Sequence, residues 1–282
     1  MNQLAKIVRQ ALLAAALLTQ AACVSPAALT PATPTSTSRA DAAPEYVLDL
    51  TDAVQTAPPT LPAGVRSITA KNIGQEVHAV IFKRLNEDVT MEQFTAAFTE
   101  NPFFSLRLTT QLGGPDTAPG TSTAGYYQFQ PGAYVLTDNA TQPPRFAAFT
   151  VEASTVADAQ PPAAAVTVEM QDGELVMPAE IKPGAQWWQF TNASQKMHML
   201  GIVKLAAGKT VDDIVAWDKS GNGTEPFEWI AFWNLMSPGV TSWGELDLPP
   251  GAYWGLDFAT EPTEAGMTPP ALGTLKAITV TE

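Results

Sequence analysis

The sequence predicts an all-β chain built as two tandem β-sandwiches, each with a short helical insertion. Three observations lead there. Short apolar runs of strand type, broken by Pro and Gly, recur from Tyr46 to the end of the chain. Only two stretches, Thr90–Phe98 and Thr210–Trp217, carry helical spacing with a capping-type Thr in front. The plan is also written twice: Asn72-Ile-Gly-Gln-Glu-Val-His78 and Asn192-Ala-Ser-Gln-Lys-Met-His198 hold the chain's only two histidines, each six residues after an Asn and each opening an apolar run, offset by 120 positions.

The chain is 282 residues long, enough for two domains. Residues 1–22 carry Lys6 and Arg9 ahead of the apolar run Ala11–Leu18, too short to span a bilayer as a mature helix but suited to an export signal. The single cysteine, Cys23, follows Gln20-Ala21-Ala22, which resembles the bacterial lipoprotein signal, with Gln20 where that pattern usually has an aliphatic residue. The resemblance implies lipidation at Cys23 and an anchored protein of the cell envelope or periplasm. No intramolecular disulfide is possible with one cysteine. Residues 23–45 are rich in Pro, Thr and Ser and read as a tether. Loss of residues 1–22 removes two positive charges and takes the formal charge from -13 to -15. An acidic surface of this kind argues against nucleic acid and, apart from the lipid anchor, against membrane contact.

The first unit, residues 46–152, contains the runs Val47–Leu50, Val65–Ala70 and the His78 strand. Its helix places Met91, Phe94 and Phe98 on one face. The strand pair around the Pro131-Gly132 turn and the run Arg145–Val151 complete it. Residues 153–165, with Gln160-Pro-Pro, form a linker. The second unit, residues 166–282, repeats the plan: Lys182-Pro-Gly184 answers Pro62-Ala-Gly64, and Leu248-Pro-Pro-Gly-Ala-Tyr253 answers Phe129-Gln-Pro-Gly-Ala-Tyr134.

These features, in this order and present twice, resemble the cupredoxin, or blue-copper-like, domain, as does Gly113-Gly-Pro115. The resemblance implies Greek-key β-sandwiches of cupredoxin-like type. In that family a copper ion sits between two histidines, a cysteine thiolate and usually a methionine, a soft donor set suited to copper redox. Carried over by motif, His78 and His198 take the first histidine position. Asp138 and Asp257 stand where the cysteine belongs, and in the second unit Pro269 and Thr274 stand where the other histidine and the methionine belong. Blue-copper electron transfer is thereby excluded, and no cofactor is expected. A hard-ligand pair of Asp257 with His198 is the remaining weak metal candidate, with too few donors for a tight site.

Strand alternation puts Met197 and Met199 on one face and His198 on the other, so the three do not converge on one ion. Asp218-Lys-Ser-Gly-Asn-Gly223 begins like a calcium loop, but its twelfth position is Trp229; a glycine-rich helix exit explains it better. All seven tryptophans lie in the second unit. Trp188 travels with Phe190 into the core. Trp187 lies on the more polar face, either as a contact for a partner or covered by the other unit or by the helical insertion. Gly-x-Ser-x-Gly and phosphate-cradling loops are absent, so the chain is expected not to be an enzyme. The expected function is a non-catalytic extracytoplasmic binding or scaffold lipoprotein with an unknown protein or ligand partner. The alternative is weak copper or divalent-metal handling through His198.

Overall fold

In both halves the Asn-x5-His segment forms a tight turn leading into a central strand. Asn72 donates through Nδ2 to the carbonyls of Glu76 (2.7 Å) and Thr117 (2.9 Å), and accepts from Gly74 N at 2.9 Å. Asn192 repeats this with Lys196 and Met236 (2.8 Å each) and Ser194 N (3.0 Å). A buried side-chain amide that satisfies three backbone groups fixes the turn's shape, which is why the Asn recurs at this spacing. The strands it launches are His78–Leu85 and Met197–Leu205.

The computed structural model describes residues 44–53, 56–138, 144–221, 223–263, 266–268 and 270–282. The expected leader 1–22, Cys23 and nearly all of the tether 23–45 lie outside them, as does Pro269. Strands dominate, and the two expected helices are present: α1, Met91–Glu100, and α2, Val211–Ser220. In α1, Thr90 and Gln93 form a reciprocal capping box, and Phe94 and Phe98 turn inward onto Phe146. In α2, Gly221 ends the helix in the left-handed region at φ 61°, the conformation a glycine cap supplies.

A five-membered path of strands, Thr60–Pro62, Arg145–Glu152, Gly132–Asp138, His78–Leu85 and Thr109–Gln111, forms one layer of the first unit. The matching layer of the second runs Glu180–Ile181, Ala271–Val280, Gly251–Thr260, Met197–Leu205 and Phe227–Met236. The facing layer is common to both units. Glu45–Leu50, Gly64–Asn72 and Ser122–Phe129 continue directly into Thr241–Leu248, Gly184–Asn192, Val166–Gln171 and Glu174–Val176 as one seven-stranded sheet. Strand alternation sends one face of that sheet into two cores. Leu48, Ile68, Phe82, Phe129 and Leu136 fill the first; Val168, Trp188, Phe190, Leu200 and Trp233 fill the second.

The seam is antiparallel and joins equivalent strands of the two repeats. Tyr127 pairs with Ser242, Tyr126 with Trp243 and Gly125 with Gly244. Across the other layer, Asn234 N donates to Gly114 O at 2.8 Å, Gly113 N to Leu235 O at 3.1 Å and Ser237 N to Gln111 O at 3.0 Å. In the shared sheet Gly125 and Gly244, equivalent by the repeat, pair with each other, so the two units meet there about a local two-fold axis, the geometry of an isologous contact. The connecting segment is pinned at both ends. The fully buried Arg66 guanidinium donates to Ala157 O (2.8 Å) and Val156 O (3.2 Å), as well as to Pro62 O, Ala63 O and Val65 O. Ala165 N bonds Trp187 O at 2.9 Å.

Gly244 is required at the seam by packing: a Cβ there would lie 2.3 Å from the Trp233 ring, which stacks on Phe190 with centroids 4.0 Å apart. Gly244→Ala is therefore expected to destabilise the chain by about 1–3 kcal/mol through overpacking, read as a lower urea midpoint. An unchanged midpoint would show that the ring stack moves aside freely.

Candidate functional site

Each unit buries its histidine against the aspartate that stands at the expected cysteine position. His78 is fully buried, and its Nδ1 lies 2.5 Å from Asp138 Oδ2. His198 is 2 % exposed, with Nδ1 2.8 Å and 3.0 Å from the two carboxylate oxygens of Asp257. The pairs form because the His strand is flanked by the strand carrying the Asp. Val80 is in register with Asp138, and Leu200 with Asp257. With the carboxylate ionised, Nδ1 carries the hydrogen and donates it, which fixes the ring's orientation and tautomer. Thr274, at the expected methionine position, lies across from Asp257 on the neighbouring strand. Burial pushes the Asp257 carboxyl up, against the opposing pull of His198.

The second ring nitrogens differ. In the first unit Asp52 Oδ1 stands 3.3 Å from His78 Nε2. Asp52 is itself held by Gln75 N (2.7 Å) and Glu76 N (3.1 Å), and these bonds pull its carboxyl below the usual range. For His78, burial works to lower the pKa, but Asp138 and Asp52 outweigh it and the net shift is upward. The equivalent residue in the second unit, 120 positions on, is Asp172. It is exposed and accepts only one long bond, 3.3 Å, from Gln195 N among its described contacts. The Nε2 of both histidines is buried without a hydrogen-bond partner; that of His78 lies within ion-pair distance of Asp52, whereas no carboxylate stands within that distance of His198 Nε2 among the described residues. His198 borders a cavity of about 390 Å³ lined by Asp172, Lys196, Asp257, Thr260, Glu261 and Thr268, with small residues completing the wall. Lys196 Nζ is 4.0 Å from Glu261.

Two carboxylates occupy the cysteine positions, each already bonded to its histidine. Among the described residues no three His, Cys, Asp or Glu side chains converge as a metal group. Met197 and Met199 point away from His198, into a core that includes Leu106 of the first unit and Ile214 of α2. Trp187 is half-buried, its ring 5.3 Å from Tyr126 of the first unit in an edge-on contact, so the other unit does cover part of it. Trp229 is a core residue whose Nε1 donates to Glu225.

Sequence reasoning identified His198, Asp257 and their equivalents but missed Asp52 and Asp172. Their separation, the same 120 positions as the histidines, was the available signal. It also missed a second cavity of about 510 Å³ at the seam, bordered by Asp116, Trp229, Phe232, Glu245 and Asp247. Burial raises the Asp116 carboxyl to about 7, with Asn234 Nδ2 bonded to it at 2.8 Å.

No protein-family model matches the chain, and no curated protein matches it. Solved structures do align. Auracyanin from the photosynthetic bacterium Roseiflexus castenholzii, in its dithionite-reduced form, matches 43% of this chain and 100% of its own at 21% identity and TM-score 0.27. A multicopper oxidase matches 84% of this chain and 88% of its own at 15% identity and TM-score 0.24. The copper-containing nitrite reductase of Thermus scotoductus SA-01 matches 86% of this chain but only 56% of its own, at 12% identity and TM-score 0.23. The described strands form packed layers, the β-sandwich architecture expected from the sequence. At these levels the likeness concerns fold alone. It nevertheless corrects the expectation that the chain is not an enzyme: several matched structures are enzymes of this architecture, so the fold gives no ground for that exclusion.

The raised His78 pKa has a readable consequence. A histidine whose folded pKa exceeds 6.5 contributes stability that is fully present below that value and is lost as pH rises through the folded pKa. With only two histidines, the imidazole C–H signals can be assigned by NMR using His198→Gln. The His78 midpoint should lie above 6.5 and fall in Asp52→Asn. The stability gap between that variant and the parent should be widest below pH 6.5 and close at higher pH. An unshifted midpoint in Asp52→Asn would remove Asp52 from the pair.

Proposed function

We propose that the protein is an exported, lipid-anchored binding protein in which the copper site of the ancestral fold has given way to a buried His–Asp pair, and that its ligand enters the cavity over His198. The observation that carries this is the contrast between the copies. His78 has a carboxylate near each ring nitrogen, whereas His198 has one at Nδ1 only and lines a cavity of about 390 Å³. That volume lies within the range of small-molecule sites, which combine a few oriented polar groups with otherwise plain walls. The first unit then serves as a structural partner. Export and anchoring at Cys23 rest on the leader and the cysteine that follows it.

Weak divalent-metal handling is the second reading. A histidine that gives its far N–H to a carboxylate while presenting the other nitrogen outward is the arrangement that supports metal ligation. His198–Asp257 has the carboxylate half of that arrangement, with a single unbonded nitrogen that is buried.

Two measurements test these readings. A thermal-shift screen of small molecules should find compounds that stabilise the purified chain by about 2.7 kcal/mol at a hundredfold excess over Kd; a broad screen without a hit sinks the binding reading. Metal analysis after copper-supplemented growth should show well under one equivalent. Stoichiometric copper that disappears in His198→Gln would replace the binding reading with metal handling.

A further inference from the structure

We propose that the ligand of the His198 cavity is a small organic cation whose ammonium head donates to His198 Nε2 and to the Asp172 carboxylate. The inference rests on the reading that this cavity is the binding site, and it names the chemistry the cavity selects. Four observations support it.

The Nδ1–H of His198 is committed to Asp257, so Nε2 is left as an acceptor lone pair. A buried acceptor without a donor is costly, and the residue that carries this one lines the cavity. The missing group is therefore a hydrogen-bond donor. The wall around it carries three carboxylates, Asp172, Asp257 and Glu261, against one ammonium, Lys196, which lies closest to Glu261. A donor that is also positively charged matches that balance better than a neutral hydroxyl or an anion.

The first unit shows the counterpart arrangement in closed form. There Asp52 stands 3.3 Å from His78 Nε2, locked by two backbone amides, and the imidazole is held between two carboxylates. In the second unit Asp172 has one long amide contact and is exposed, leaving space between imidazole and carboxylate. An ammonium with three donors fits such a gap, giving one hydrogen to nitrogen and another to oxygen, with charge assistance on the carboxylate side. The threonines do not compete for the role. Thr260 Oγ1 already donates to Thr268 O at 2.7 Å, and Thr268 Oγ1 accepts from Glu261 N at 3.0 Å. A metal ion is disfavoured because no three ligating side chains converge among the described residues.

Isothermal titration calorimetry on the full purified chain separates the possibilities. The probes are 1,4-diaminobutane and ethylamine, the neutral analogue 1,4-butanediol and the dianion succinate. The ammonium probes should bind with one site, the diol and succinate at least tenfold more weakly. Asp172→Asn, an exposed change that leaves the buried pair intact, should weaken the amines about tenfold. Asp52→Asn in the first unit should leave them unchanged. Equal binding of diol and amine, or stronger binding of succinate, overturns the ammonium assignment while the cavity reading stands. Full amine affinity in Asp172→Asn overturns the proposed seat. Binding by none of the four probes overturns the ammonium assignment, and overturns the cavity reading as well only if the small-molecule screen is also without a hit.

Discussion

Burying an imidazole beside a carboxylate at the centre of a sheet is stable only when each group answers the other. This chain does it twice, at His78–Asp138 and His198–Asp257, and each pair bridges two central strands of its layer. The Asn turn that launches the histidine strand, the register that brings the aspartate alongside and the core packed over both are consistent with that requirement. Removing one partner would strand the other in the interior, so both members of a pair persist together even in the copy that has closed.

The copies diverge just outside the pair. In the first unit a second carboxylate, anchored by two amides, meets the far ring nitrogen. In the second the equivalent carboxylate is loosely held and the buried nitrogen has no carboxylate beside it among the described residues. Duplication makes such a division possible, since one copy can stay closed and support the fold while the other accepts an unsatisfied group in its interior. That unsatisfied group costs stability, and a bound donor would return it.

Much of this was legible in the sequence. The 120-residue repeat fixed the equivalence of His78 with His198 and of the two helices. The Pro-Gly-x-Tyr turns located the strands that carry Asp138 and Asp257, and alternation correctly separated His198 from its flanking methionines. What could not be read were relations between chain segments far apart. Arg66 looks like a surface residue of a strand, yet it is buried because the 153–165 segment folds back over it and offers carbonyls. For Trp187 alternation gave the more polar face but not what lies over it, and it is the neighbouring unit that brings Tyr126 against it. The orphaned Nε2 depends on Asp172 failing to close, a difference of geometry between two identical residue types at equivalent positions.

The seam carries one more implication. A strand such as Ser122–Phe129 or Thr241–Leu248, ending its sheet with no neighbour, would present a row of unpaired amides and carbonyls to any other chain, the usual starting point of edge-to-edge aggregation. Here each covers the other at Gly125 and Gly244, close to a local two-fold. The duplication thus covers one edge of each unit with the other, leaving Glu45–Leu50 and Glu174–Val176 as the ends of the shared sheet.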